Sequence, residues 1–200
     1  MAVSSNSLGY IVVDGAEGLF RGSSLVVDFR GIPMDFRYTD PIRPTRLERI
    51  LYGSALEVYL REELILESLL GAVEARPSLW ICRVADLLAP LKSVTRGKVL
   101  FLAPSSRSPM EAAGSVESAG ENGAVYMVQA DSVSAPLRVA FPDNVREDEV
   151  RQVVGLLVEF MAIEEQPCLS EYITVLLTAI YEQDFPNDMR VAFIVACAPV

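Results

Sequence analysis

The chain of 200 residues contains no histidine. That absence excludes Ser-His-Asp and Cys-His nucleophilic arrangements and histidine-based zinc or iron centres, and it leaves acid–base chemistry to Asp, Glu, Lys, Tyr or Cys. Cysteine is scarce: Cys82, Cys168 and Cys197 are an odd set at wide spacing, neither a disulfide framework nor a zinc pattern. Cys82 and Cys197 sit inside apolar runs, as a small hydrophobe does. Cys168 follows Pro167 at an expected helix start, where a helix dipole lowers a thiol pKa, but no histidine can partner it. No apolar run reaches the roughly 18 residues of a spanning helix. The opening stretch MAVSSNSLGYIVVDG has no basic segment followed by a long apolar one, so no secretory signal is expected and a cytoplasmic location is. No GxxxxGK[ST], no GxGxxG between strand and helix and no EF-hand spacing occurs. Positive charge is the minority: 17 Lys and Arg against 27 Asp and Glu give a net charge of −10, which disfavours a phosphate backbone as partner.

What is present is a globular composition, 51% hydrophobic and 22% charged, in a chain long enough to bury a core. The best-specified stretch is 24–70. Period-two alternation over 24–30 and 32–39, joined at Gly31, predicts a hairpin with one wet face, where Asp28, Arg30, Asp35 and Arg37 form cross-strand charge pairs. A further strand over 8–14 precedes it. Asp40-Pro41 and Arg43-Pro44 end the hairpin, because the residue before each proline is pushed out of helical space. Thr45 and Glu48 then have capping-box spacing, and Ser54 and Glu57 repeat it after Gly53. Leu47, Ile50 and Leu51 give the first helix an apolar face. The second carries Leu56, Tyr59, Leu60, Leu64 and Leu70, widened by Ile65 and Leu66. Strands are expected over 79–87 and 98–103, a strand pair over 124–130 and 136–141, a helix striped by Val150, Val153, Val154, Leu157, Phe160 and Met161, a helix over 170–183 and a strand over 190–198. The run 104–123, rich in Ser, Gly, Glu and Ala, reads as a mobile loop or connection.

The run DFRYTDPIRPTRLERILYG, from Asp35 to Gly53, resembles a stretch in a group of uncharacterised bacterial hypothetical proteins, in which an extended segment precedes P-[VI]-x-P-[TN] and then ILYG. The resemblance covers about a fifth of the chain. It implies a bacterial origin and attaches no activity, ligand or site residue.

Two functional readings follow. The first is a non-catalytic protein-interaction or accessory subunit of a bacterial complex. It rests on wide apolar helix stripes and on the lack of a catalytic constellation, with a protein partner or self-association expected, nucleic acid not expected, and no cofactor. Its contact surface is Arg37, Arg43, Arg46 and Arg49, which flank the proline corner and whose plainer reading is ordinary solvated charge. The alternative is a carboxylate-based, Mg-dependent nuclease with an RNase H-like core. Asp14 ends the first strand and Asp86 lies in a later one, and two Mg²⁺ held by carboxylates need no histidine. A nucleophile at Ser105 or Ser106 lacks both a G-x-S-x-G turn and a base. The fold expected is α+β: antiparallel hairpins with helices packed on one face of the sheet, in two halves, 1–103 and 124–200, joined by a flexible segment at 104–123.

Overall fold

The structure is a computed structural model and describes residues 7–15, 18–120 and 124–161. Eight strands form one sheet: β1 (Ser7–Asp14), β2 (Arg21–Asp28), β3 (Pro33–Tyr38), β4 (Leu79–Cys82), β5 (Lys98–Ala103), β6 (Val116–Ser118), β7 (Val125–Val128) and β8 (Leu137–Ala140). Their order across the sheet is β3-β2-β1-β4-β5-β8-β7-β6. The α+β class read from the sequence is the class observed. The centre is parallel: β1 pairs with β4 in register Leu8↔Leu79, and β4 with β5 in register Leu79↔Lys98. Antiparallel strands flank it on both sides.

A parallel pair cannot close through a tight turn, so helices must carry the chain between these strands and cover them. They do so on both faces. Leu8 and Tyr10 of β1, Leu79 and Ile81 of β4, and Leu100 and Leu102 of β5 point to a core completed by Val150, Val153, Val154, Leu157 and Phe160 of helix α5 (Glu147–Met161). The alternate residues Ile11, Val13, Trp80, Cys82 and Val99 face the other core, with Leu56, Leu60, Ile65, Leu66, Leu69, Leu88 and Leu91. Central strands buried on both sides explain why LWIC and KVLFLA read as continuous apolar runs rather than alternating ones.

The helical segment after β3 departs from its expected period. Helix α1 (Arg46–Tyr52) is followed by a tight turn at Gly53–Ala55, then by α2 (Leu56–Val58), a π-helical stretch Tyr59–Leu66 and α3 (Glu67–Ala72). The wider π turn advances the buried stripe from Leu60 to Ile65, so Ile65 is fully buried while Leu64 turns out to 38% exposure. The Thr45–Glu48 capping box forms. The Ser54–Glu57 box does not, because Ser54 lies inside the turn and no side chain caps α2. The strand expected over 79–87 stops at Cys82, and the chain re-enters helix as a short turn at Ala85–Leu87 and α4 (Leu88–Val94).

The sheet runs through both sides of 104–123, since β5 pairs with β8 in register Leu102↔Val139. Within 104–123 lies β6, and Gln129 ties the neighbouring loops. Its buried amide accepts from the Met110 N–H and donates to the Asp131 and Ser134 carbonyls. The charged hairpin also differs from expectation. Asp28 and Asp35 are buried, and their partners lie two residues away in the chain, Arg30 at 2.8 Å and Arg37 at 2.7 Å, rather than across the strands. The expected helix over 170–183, the strand over 190–198, Cys168 and Cys197 lie outside the described residues. Among the described residues no helix is long and apolar enough to cross a membrane.

Candidate functional site

In open sheets with a parallel centre, ligands settle beyond the carboxyl ends of the strands, where the strand order reverses. Here that point lies between β1, flanked by β2 on one side, and β4 on the other. Because Ile11 pairs with Cys82, the chain leaves β1 at Asp14 and β4 at Arg83 on the same edge. β5 reaches that edge at Ala103, opposite Arg138.

The proline corner is fastened to this edge. The Phe20 N–H donates to the Ile42 carbonyl at 2.9 Å and the Ile42 N–H returns the bond at 2.7 Å. The Gly22 N–H donates to Thr39 Oγ1 at 2.9 Å. Pro41 and Pro44 stop the strand and launch α1 outward beside the β1–β2 turn. Arg49 closes the junction: its Nε donates to the Pro44 carbonyl at 3.4 Å, and its guanidinium lies so close to Gly18 that a Cβ there would meet Nη2 at 2.7 Å. Gly18 has φ 73°, which glycine adopts without penalty.

The four arginines read as a contact surface divide. Arg43, Arg46 and Arg49 lie in the corner and on α1, all exposed, with no ion pair among the described residues. Arg37 is engaged elsewhere, paired with Asp35 at 2.7 Å and Glu74 at 3.6 Å on β3, where it lines a shallow groove of about 340 Å³ with Phe36, Tyr38, Ser68 and Leu69. The acid within α1 is tied to its own cap. The Thr45 N–H, then its hydroxyl, hold Glu48 below the usual carboxylate range.

Helix α1 is uncovered along its whole length. None of its residues is buried, and Leu47, Ile50 and Leu51 are 64–70% exposed. Tyr52 stacks on Tyr59 with ring centroids 5.1 Å apart and planes 20° from parallel, and remains 44% exposed. The apolar spacing was visible in the sequence; its lack of any cover was not.

The two carboxylates of the alternative reading both fall at this end of the sheet. Asp14 faces Arg21 at 3.9 Å, and Asp86 is exposed in the turn after β4. Among the described residues no three acidic or sulfur side chains are placed to hold a metal ion. The two carboxylates thus reach the same edge with no third described acid placed to complete a metal site with them. Neither serine read as a weak nucleophile candidate gains a base, and Ser105 Oγ is committed to the Pro136 carbonyl at 2.5 Å. Burial pushes the Cys82 thiol up to about 12, against a weak bond to the Val84 carbonyl, so it is inert at neutral pH.

No protein-family model matches the chain, and no curated protein matches it. Solved structures do. Endonuclease V from Streptomyces avermitilis is similar over 89% of this chain and 82% of its own, at 15% identity and a TM-score of 0.56. Endonuclease V from Bacillus subtilis is similar over 92% and 84%, at 11% identity and a TM-score of 0.57. At these identities the likeness establishes the fold, an eight-stranded mixed sheet of RNase H-like type. It also overturns two expectations. The non-catalytic protein-interaction or self-associating subunit is no longer the leading reading, and nucleic acid can no longer be set aside as a partner. The net charge of −10 averages the whole chain, whereas the proline corner concentrates arginines locally.

Proposed function

We propose that this protein acts on nucleic acid, engaging it at the carboxyl edge of β1 and β4 through the arginines of the proline corner. The observation that carries this reading is the sheet itself: its likeness to two endonuclease structures spans more than four-fifths of each chain compared. Arg43, Arg46 and Arg49 support it, because all three are exposed cations and they flank the place where such sheets take their ligands. The reading rests on fold and on local charge and assigns binding; hydrolysis is assigned to no residue. A place in the bacterial cytoplasm belongs to the same reading, supported by the free, buried Cys82.

The test is fluorescence anisotropy with labelled single-stranded DNA, duplex DNA and single-stranded RNA at about 50 mM salt, where phosphate contacts are strong, with a parallel cleavage assay in Mg²⁺. Saturable binding that weakens with salt is expected. No binding to any of the three would end the proposal. Mg²⁺-dependent cleavage abolished by Asp14→Asn would extend it to catalysis at this edge.

A further inference from the structure

We infer that helix α1 is the contacting element and that it selects single-stranded over duplex nucleic acid, by stacking an unpaired base on Tyr52 while Arg43 and Arg46 hold the flanking phosphates. This deepens the proposed function and rests on it.

A surface helix in a monomeric fold normally hides one stripe, and α1 hides none. The corner and α1 together expose two kinds of group. Leu51 and Tyr52 of α1 offer flat or apolar surface, and Arg46 of α1 with Arg43 of the corner before it offers charge. That combination matches the two surfaces a single strand presents together, base faces and phosphates. A duplex keeps its base faces stacked and offers mainly phosphate, which leaves the apolar groups of α1 in water. The aromatic platform is already set. Tyr59 is half-buried and holds the Tyr52 ring in a parallel stack, so little side-chain freedom remains to be lost when a base arrives on the open face. Of the nearby acids Glu57 is balanced by Arg61 at 3.4 Å, while Glu48, held ionised by Thr45, and Asp40 keep their charge against Arg43, Arg46 and Arg49. The complementarity is of charge and of ring face, and both lie on one short arm beside the strand ends.

The experiment measures anisotropy of the full chain with a labelled oligothymidine of about 20 nucleotides, beyond one stacking site, and with a duplex of equal length. Wild type is expected to bind the single strand at least tenfold more tightly. Tyr52→Ala should weaken single-strand binding about tenfold, the scale of one lost base stack, and leave duplex binding unchanged, while Tyr52→Phe should retain it. The Arg43→Ala/Arg46→Ala double variant should flatten the salt dependence by about 1.4, two phosphates on a single strand. All these side chains are exposed, so the variants keep their fold, checked by their melting curves. Equal affinity for strand and duplex overturns the inference, as does single-strand binding untouched in both variants; the wider proposal survives either result. It is also overturned if wild type sediments as a dimer that Leu51→Glu dissociates without loss of binding, for then a second copy covers α1. Failure of wild type to bind any nucleic acid removes both.

Discussion

Helices α1 and α5 carry the same kind of signal and meet opposite fates. Both open with acidic residues in the first turn, and both carry apolar residues at helical spacing. Helix α5 lays Val150, Val153, Val154, Leu157 and Phe160 on the sheet, and each is at most 5% exposed. Helix α1 leaves Leu47, Ile50 and Leu51 in solvent. Periodicity reports that a helix has an apolar side; what lies against that side is decided by chain path. α5 follows β8 and returns over the sheet, whereas α1 is launched past the sheet edge by two prolines and a strand bridge.

The largest expected effect breaks the symmetry of the two helices outright. Leu157→Ala should cost about 2–5 kcal/mol in urea unfolding, because it empties a fully buried site, while Leu51→Ala should stay within about 0.5 kcal/mol. Equal losses would mean that α1 is covered in solution. Next comes the helical run between these extremes, which presses onto β2. A Cβ at Gly22 would collide with Ile65 Cγ2 and lie 2.8 Å from Leu69 Cδ1. Gly22→Ala should therefore destabilise by about 1–3 kcal/mol, read as a lower denaturation midpoint.

The smallest effect carries the contrast of covered and uncovered groups to two carboxylates. Burial pushes the Asp28 carboxyl up, but hydrogen bonds from the Ile32 N–H, the Arg30 side chain and the Arg30 N–H outweigh it and hold its pKa below the ordinary value. A lowered folded value means stability that is whole above the unfolded carboxylate pKa and is lost as pH falls through the folded one. Asp28→Asn should cost about 1 kcal/mol at neutral pH, with the gap to wild type narrowing in acid. Glu48→Gln should change the acid limb in the same direction but less, because Glu48 is held down by its Thr45 bonds at a fully exposed position where solvent screens them. A gap for Asp28→Asn that persists undiminished at low pH would show that the Asp28 charge contributes nothing.

Much of the fold was legible wherever the signal is local. The first strand, the Gly31 turn, the Thr45–Glu48 cap and the stripe of α5 depend on neighbours in the chain, and each forms. The Ser54–Glu57 cap failed because Gly53, at φ 54°, turns the chain into a tight coil that absorbs Ser54. The parallel centre and the division of helices between two faces depend on pairings such as Leu79↔Lys98, which no local pattern encodes. The site was half legible for the same reason. Arg43, Arg46 and Arg49 stood out as charges beside two prolines, but only the Phe20–Ile42 bridge sets them beside the end of β1. Asp14 stands at a strand end as read, whereas Asp86 lies past the end of β4 at Cys82, in the turn Ala85–Leu87.

Trp80 is the sole tryptophan, 5% exposed, and its ring lies across Gly9 of the neighbouring strand, where a Cβ would sit 2.5 Å from Cε3. The molecule thus contains its own optical gauge. Blue-shifted indole emission monitors the β1–β4 seam alone, undiluted by any other indole, and its red shift during denaturation times the parting of the two strands between which the candidate ligand edge is built.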